Sequence, residues 1–129
     1  MLCLCCDAEM KCVKKTHHYK ACGLNNVYLE NIEVCTCEVC GEEEVIIPCL
    51  PDLHRLIGQS LIEQKQPLTG NEVRFLRKHA GMPAKRFAEI IAVDNATLSR
   101  WENNNQSISP QNDRLIRMVY CAIISRRFC

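Results

Sequence analysis

Two Cys-x-x-Cys pairs, Cys3-Leu-Cys-Cys6 and Cys37-Glu-Val-Cys40, stand thirty residues apart, and Gly41 follows the second. Each such turn aims two sulfurs at one point, and two turns complete a tetrahedral four-sulfur shell. Zn²⁺ suits that shell, because it has no redox chemistry and accepts the geometry at about 2.3 Å. Gly41 suits the tight turn in which backbone N–H groups face the sulfurs. The spacing therefore predicts one structural Zn²⁺ held by Cys3, Cys6, Cys37 and Cys40. Four thiolates leave no open position for water, which argues against a catalytic ion. Neither pair follows a strand and opens a helix, as a thioredoxin-like dithiol requires. The register is not unique: Cys35-Thr-Cys37 and Cys5 offer competing thiols, and His17 and His18 competing imidazoles. The spare cysteines, Cys5, Cys12, Cys22, Cys35 and Cys49, are otherwise read as small buried or exposed residues.

Eleven cysteines in 129 residues suggest at first a secreted disulfide scaffold. The opening Met1-Leu-Cys-Leu-Cys-Cys6 argues otherwise, with no basic segment, apolar stretch or cleavage site. No apolar run approaches the ~18 residues that span a bilayer, so no membrane partner is expected. The expectation is a cytoplasmic protein, in a compartment where clustered thiols bind metal more often than they pair.

Between the knuckles, Asn26–Val34 alternates along Tyr28, Glu30, Ile32 and Val34, predicting a strand that leads into the second knuckle. Glu44-Val-Ile-Ile47 predicts another leaving it. The layout is a zinc ribbon with few large apolar residues, which metal would have to complete.

The charge divides the chain as well. Residues 1–68 hold six Lys/Arg against ten Asp/Glu, a net of −4, whereas residues 69–129 hold ten against five, a net of +5. Nine cysteines lie in the acidic half. Two domains are expected, 1–66 and 67–129, with the basic one facing a polyanion. Two solvated surfaces of opposite sign would give the same arithmetic.

From Thr69 the period becomes helical. Thr69-Gly-Asn-Glu72 is a capping box, followed by inward Val73, Leu76 and Ala80 beside a basic run of Arg74, Arg77 and Lys78. Gly81-Met-Pro83 separates this helix from another, Ala84 to about Ile91, with Phe87, Ala88 and Ile91 inward. Asp94 is the expected N-cap of Asn95–Glu102, in which Leu98 and Trp101 pack inward and Asn95, Ala96, Thr97, Ser99 and Arg100 face out. Ser109-Pro110 opens a last helix whose apolar positions are Leu115, Met118, Val119, Ala122 and Ile123. Two short helices and a tight turn before a polar helix make a helix-turn-helix. Arg100 and Asn95 have the chemistry to read base edges, and the Thr97 methyl that to touch thymine. Lys85 and Arg86 would hold phosphates. The fold class is α+β: a small β-rich ribbon, then an all-α domain of four or five helices.

With Phe87-Ala-Glu and Val93-Asp-Asn ahead of Leu98-Ser-Arg-Trp-Glu102, residues 69–120 resemble the lambda-repressor-like XRE regulators. Together with the Cys3/Cys6/Cys37/Cys40 ribbon, the whole chain resembles the MqsA/YgiT-type antitoxins of bacterial toxin–antitoxin systems. That resemblance implies an N-terminal zinc domain that binds a ribonuclease toxin. It also implies a C-terminal domain that forms a homodimer and represses its own operon by binding double-stranded operator DNA. The resemblance places Arg100 at the family's base-reading arginine. Ala84 stands where many XRE proteins have Gln, and Ala96 falls at the family's base-reading asparagine, one residue after Asn95. A different operator is therefore expected. The alternative is a stand-alone XRE regulator that senses thiol oxidation or metal through its cysteines. No Ser/His/Asp arrangement or phosphate-cradling Gly loop is present, so no enzyme is expected.

Overall fold

The computed structural model describes residues 1–128, so Cys129 lies outside it. Three strands come first: β1 (Met10–His18), β2 (Tyr28–Cys37) and β3 (Glu43–Ile46). Five helices follow: α1 (Leu50–Glu63), α2 (Gly70–His79), α3 (Ala84–Ile90), α4 (Asn95–Glu102) and α5 (Pro110–Phe128). The class is α+β, as expected. No described helix is long and apolar enough to cross a membrane.

The chain forms two compact units, residues 1–21 with 25–50, and residues 51–129 with the short piece 22–24. The first is an antiparallel sheet in the order β1-β2-β3. Strand β2 runs to Cys37 itself, further than its alternation indicated. Strand β1 was not anticipated. Its sequence, Met-Lys-Cys-Val-Lys-Lys-Thr-His-His, looks too cationic for a core element, but β1 is an edge strand, where lysines discourage further pairing. The register sets Met10 opposite Cys37 and Cys12 opposite Cys35. Cys12 and Cys35 are joined by a disulfide. This corrects the reading of both as spare thiols: direct cross-strand pairing brings together two residues that sequence distance kept apart. One face of this unit buries a small cluster of Cys3, Met10, Cys35 and Cys37, flanked by Ala8 and Cys12, and Tyr19 and Val34 are buried as well.

The second unit begins earlier than the 66/67 boundary drawn from charge, because α1 belongs to it. Helix α1 buries Ile57, Gly58 and Leu61 on one face. Gly58 lies under Tyr120 of α5, where any side chain would collide with the ring. The last turn of α1 contains no basic residue of its own. Arg117 of α5 supplies the cation, donating to the carbonyls of Ile62 (3.2 Å), Gln64 (2.6 Å) and Gln66 (2.7 Å). Asp113 anchors that arginine at 2.8 Å and accepts the Leu68 N–H at 2.7 Å. Charge could not place the boundary, because residues 51–68 carry two acidic and two basic side chains and add nothing to either sum.

The Thr69 capping box forms as predicted: the Thr69 hydroxyl accepts from the Glu72 N–H, and the Glu72 carboxylate accepts from the Thr69 N–H. Ser109 caps α5 through the Asn112 N–H. Asp94 stands at the N-cap of α4, but its side chain makes no capping hydrogen bond. Val73, Leu76, Ala80, Phe87, Ala88, Ile91, Leu98 and Trp101 are all buried. Among the described residues of α5 the buried apolar ones are Ile116 and Tyr120, not the stripe read from the sequence, and Asp113 is buried beside them. Asp113 and Arg117 turn that face toward residues 62–68, leaving Met118, Cys121 and Ala122 exposed and Leu115, Val119 and Ile123 half-buried.

Three helices end in the same motif. Gly81 N–H bonds Lys78 O and Met82 N–H bonds Arg77 O; Ala92 and Val93 repeat this on Glu89 and Ala88; Asn104 and Asn105 repeat it on Trp101 and Arg100. The left-handed residue is Gly81, Ala92 (φ 58°) or Asn104 (φ 60°). Alanine is the misfit, since its Cβ opposes that conformation. Ala92→Gly should raise stability by about 0.5–1 kcal/mol, read as a higher urea midpoint with unchanged slope.

Candidate metal centre and nucleic-acid interface

The two knuckles are built alike. Asp7 N–H bonds Cys3 O and Cys3 N–H bonds Ala8 O; Gly41 N–H bonds Cys37 O and Cys37 N–H bonds Glu42 O. Each turn needs a left-handed residue directly after its second cysteine. Gly41 (φ 78°) fills that place in the second knuckle and Asp7 (φ 58°) in the first. Only the glycine advertised this turn in the sequence.

The turns bring four sulfurs together. Cys3 and Cys40 lie 3.5 Å apart, Cys6 and Cys37 3.4 Å, and Cys6 and Cys40 3.8 Å. All four sulfurs lie within 4.8 Å of one another. A tetrahedron with Zn–S bonds of about 2.3 Å has edges of ~3.8 Å, so the tetrad fits a zinc ion with little adjustment. The set is the one the spacing selected. Its competitors are elsewhere: Cys35 is committed to Cys12, and Cys5 is exposed outside the tetrad. His18 bonds the Asn25 carbonyl at 2.6 Å and stacks on Tyr28.

The knuckle backbone already favours a thiolate. N–H groups of Cys40 and Val39 draw Cys37 down to about 6, against an opposing desolvation. The Glu42 backbone pulls Cys40 the other way from its neighbours, but contact with the Cys3 sulfur, desolvation and the Cys37 and Cys6 sulfurs push it up to about 12. The Ala8 backbone favours the Cys6 thiolate, yet Cys37 and desolvation raise it overall. At neutral pH, therefore, Cys37 offers a ready ligand, whereas Cys6 and Cys40 must lose protons to bind metal. Acid competes with the cation. Zn²⁺ affinity should fall by at least about a hundredfold per pH unit below 8, one factor of ten for each ligand proton displaced, and more steeply once Cys37 also protonates near 6. Chelator competition at a series of pH values measures this slope; a flat profile would contradict it.

In the helical unit, α4 is held by its inward face. Leu98 and Trp101 are buried, and so is Glu102. The Glu102 carboxylate accepts from Arg77 at 2.8 and 3.0 Å and from Arg74 Nε at 3.4 Å. Arg77 also donates to the Met82 carbonyl at 3.0 Å, so one guanidinium joins α2, the α2–α3 turn and α4. Arg74 and Arg77, read from the sequence as part of a basic run, thus reach across to α4. The signal was present: Glu102 lies four residues after inward Leu98, on the same helix face. The Asn103–Asn105 run is structural as well. Asn104 Oδ1 accepts the Gly70 N–H at 2.9 Å, and Asn103 Nδ2 donates to Ser99 O at 2.9 Å.

Asn95, Ala96, Ser99 and Arg100 are exposed and Thr97 is half-buried. Arg100 reaches Gln106 at 3.4 Å. Lys85 and Arg86 are exposed on α3, and Arg86 also faces Glu89 at 3.5 Å. Arg77, Ala84, Asn95, Ser99 and Glu102 are among the residues that line a cleft of about 310 Å³.

Residues 73–118 match the helix-turn-helix family. The match begins in α2 and ends in α5, spanning the α3-turn-α4 pair, and it supports DNA binding by this segment. No curated protein and no solved structure matches the chain. Within the helix-turn-helix, removing Glu102 would leave the side chain of Arg77, 12% exposed, without its anion. Glu102→Ala should cost about 3 kcal/mol, read from Trp101 fluorescence in urea; a change below ~1 kcal/mol would remove the ion pair from the role given it here.

Proposed function

We propose that this chain is a dimeric, sequence-specific DNA-binding repressor, and the antitoxin of a toxin–antitoxin pair. The observation that carries DNA reading is the division of α4. Leu98, Trp101 and Glu102 fix the helix from inside, leaving Asn95, Ala96, Ser99 and Arg100 exposed on its outer side. In the major groove Arg100 would make bidentate contacts to guanine, Asn95 would offer an amide to adenine, and Ala96 and Thr97 would supply apolar contacts to thymine. Ser99 would add a hydroxyl. Lys85 and Arg86 on α3 would fix register through phosphates.

Dimerisation through the C-terminal domain accounts for the half-exposed stripe Leu115, Met118, Val119, Ala122 and Ile123 on α5. A two-fold dimer would favour a palindromic operator with half-sites about one helical turn apart. The N-terminal unit, with one structural Zn²⁺ on Cys3, Cys6, Cys37 and Cys40, would be the toxin-binding module. Exposed Glu42 and Glu43 suit a basic ribonuclease. The alternative, a stand-alone regulator responding to thiols or metal, is favoured by the Cys12–Cys35 bond beside the tetrad.

Selection of operator sequences by the purified protein, followed by titration of Arg100→Ala, tests the reading. The substitution should cost about 1–3 kcal/mol on the selected operator and relax preference at one base pair per half-site. Unchanged affinity and preference would remove Arg100 from the readout.

A further inference from the structure

Cys12 and Cys35 face each other across the β1–β2 ladder and are disulfide-bonded. Their environments differ. Cys35 is fully buried in the central strand, and Cys12 is half-buried on the edge strand β1. Cys35 precedes Cys37 by two residues, so both lie on one face of the sheet, in the same apolar cluster as Cys3 and Met10. The two staples of this unit join the same two chain segments. The tetrad ties the turn before β1 to the turn after β2, and the disulfide ties β1 to β2 just inside it.

We propose that Cys12–Cys35 is a reversible thiol–disulfide exchange site for low-molecular-weight thiols, and that its state sets how firmly the neighbouring tetrad retains its metal. The inference rests on the tetrad being a metal centre. An incoming thiolate attacks Sγ of Cys12, the less buried of the two residues. The Cys12–Cys35 bond breaks, a mixed disulfide forms on Cys12, and Cys35 leaves as a thiolate that takes up a proton. A second thiolate attacks the small-molecule sulfur of that mixed disulfide and releases Cys12, which is protonated in turn. The sum is one protein disulfide and two small thiols giving two protein thiols and one small disulfide. The reverse reaction, with the small disulfide as oxidant, restores the bond.

Coupling to the metal follows from topology. With the bond closed, a ligand that lets go of the ion stays near its former position, because β1 and β2 cannot part at Cys12 and Cys35. Rebinding then competes well with escape. Reduction removes that restraint. It also frees the Cys35 thiol two residues from Cys37, offering the ion a competing ligand and a path out of the shell.

The test uses the full chain loaded with zinc, its oxidation state checked by intact mass. Zinc release to a chromogenic chelator is timed with and without a phosphine reductant. Reduction should speed release about tenfold in the parent. The variant carrying Cys12→Ser and Cys35→Ser should release zinc at the fast rate in both conditions. Equal rates from the oxidised and reduced parent, with one zinc held in each, would overturn the coupling alone. Less than one zinc per chain in both parent and variant would overturn the metal centre and this inference with it. The parent's own response to reductant decides the matter if the variant does not fold.

Discussion

The helical unit is organised around the ion pair of Arg77 with Glu102. A buried carboxylate is costly to desolvate and is tolerated only where cations and hydrogen bonds meet it. Here one guanidinium answers both Glu102 and the Met82 carbonyl, while Arg74 also donates to the Glu102 carboxylate. That arrangement fixes the end of α4 against α2 and holds the turn into α3. The orientation of the outer face of α4 follows from it. Asn104 completes the restraint by capping α4 in a left-handed turn and accepting from the first residue of α2. The apolar contacts of Leu98 and Trp101 hold α4 close, but they are non-directional. The ion pair and the asparagine select which face looks outward.

The N-terminal unit solves a different problem. Its buried apolar side chains, Cys3, Met10, Tyr19, Val34, Cys35 and Cys37 among the described residues, are too little for a unit of this size to rest on burial alone. Sulfur chemistry takes the place of hydrocarbon. A tetrad fit for metal joins the two knuckles, and a disulfide joins the strands between them. The two links ask for opposite sulfur states, thiolate in one and disulfide in the other. Coexistence is possible because alternation and register separate the thiols: Cys37 leads into a knuckle, while Cys35, two residues back, meets Cys12 across the ladder.

Much of this was legible in the order of residues. Cys-x-x-Cys spacing, the Thr69-x-x-Glu72 box and the inward positions of α2, α3 and α4 are local patterns, each determined within a few residues of chain. What escaped was either weakly patterned or non-local. Strand β1 hides among lysines because it is an edge. Helix α1 joins the helical unit through Arg117, a residue far along the chain. The stripe on α5 was visible, but which face turned inward depended on Asp113 and Arg117 meeting residues 62–68. The pairing of Arg74 and Arg77 was not legible because their partner lies in another helix.

The sequence by itself determined the four sulfurs of the tetrad, the helix boundaries set by caps and turns, and the outward set on α4. Each of these follows from spacing along one element, where backbone geometry maps position onto direction. Only the tertiary structure decided that Cys12 meets Cys35, that Glu102 is answered by Arg77, and that α1 sits with the helices. Those three facts depend on register and packing between segments distant in sequence. A single residue of slip between β1 and β2 would send Cys12 to the opposite face, and no local pattern records that choice.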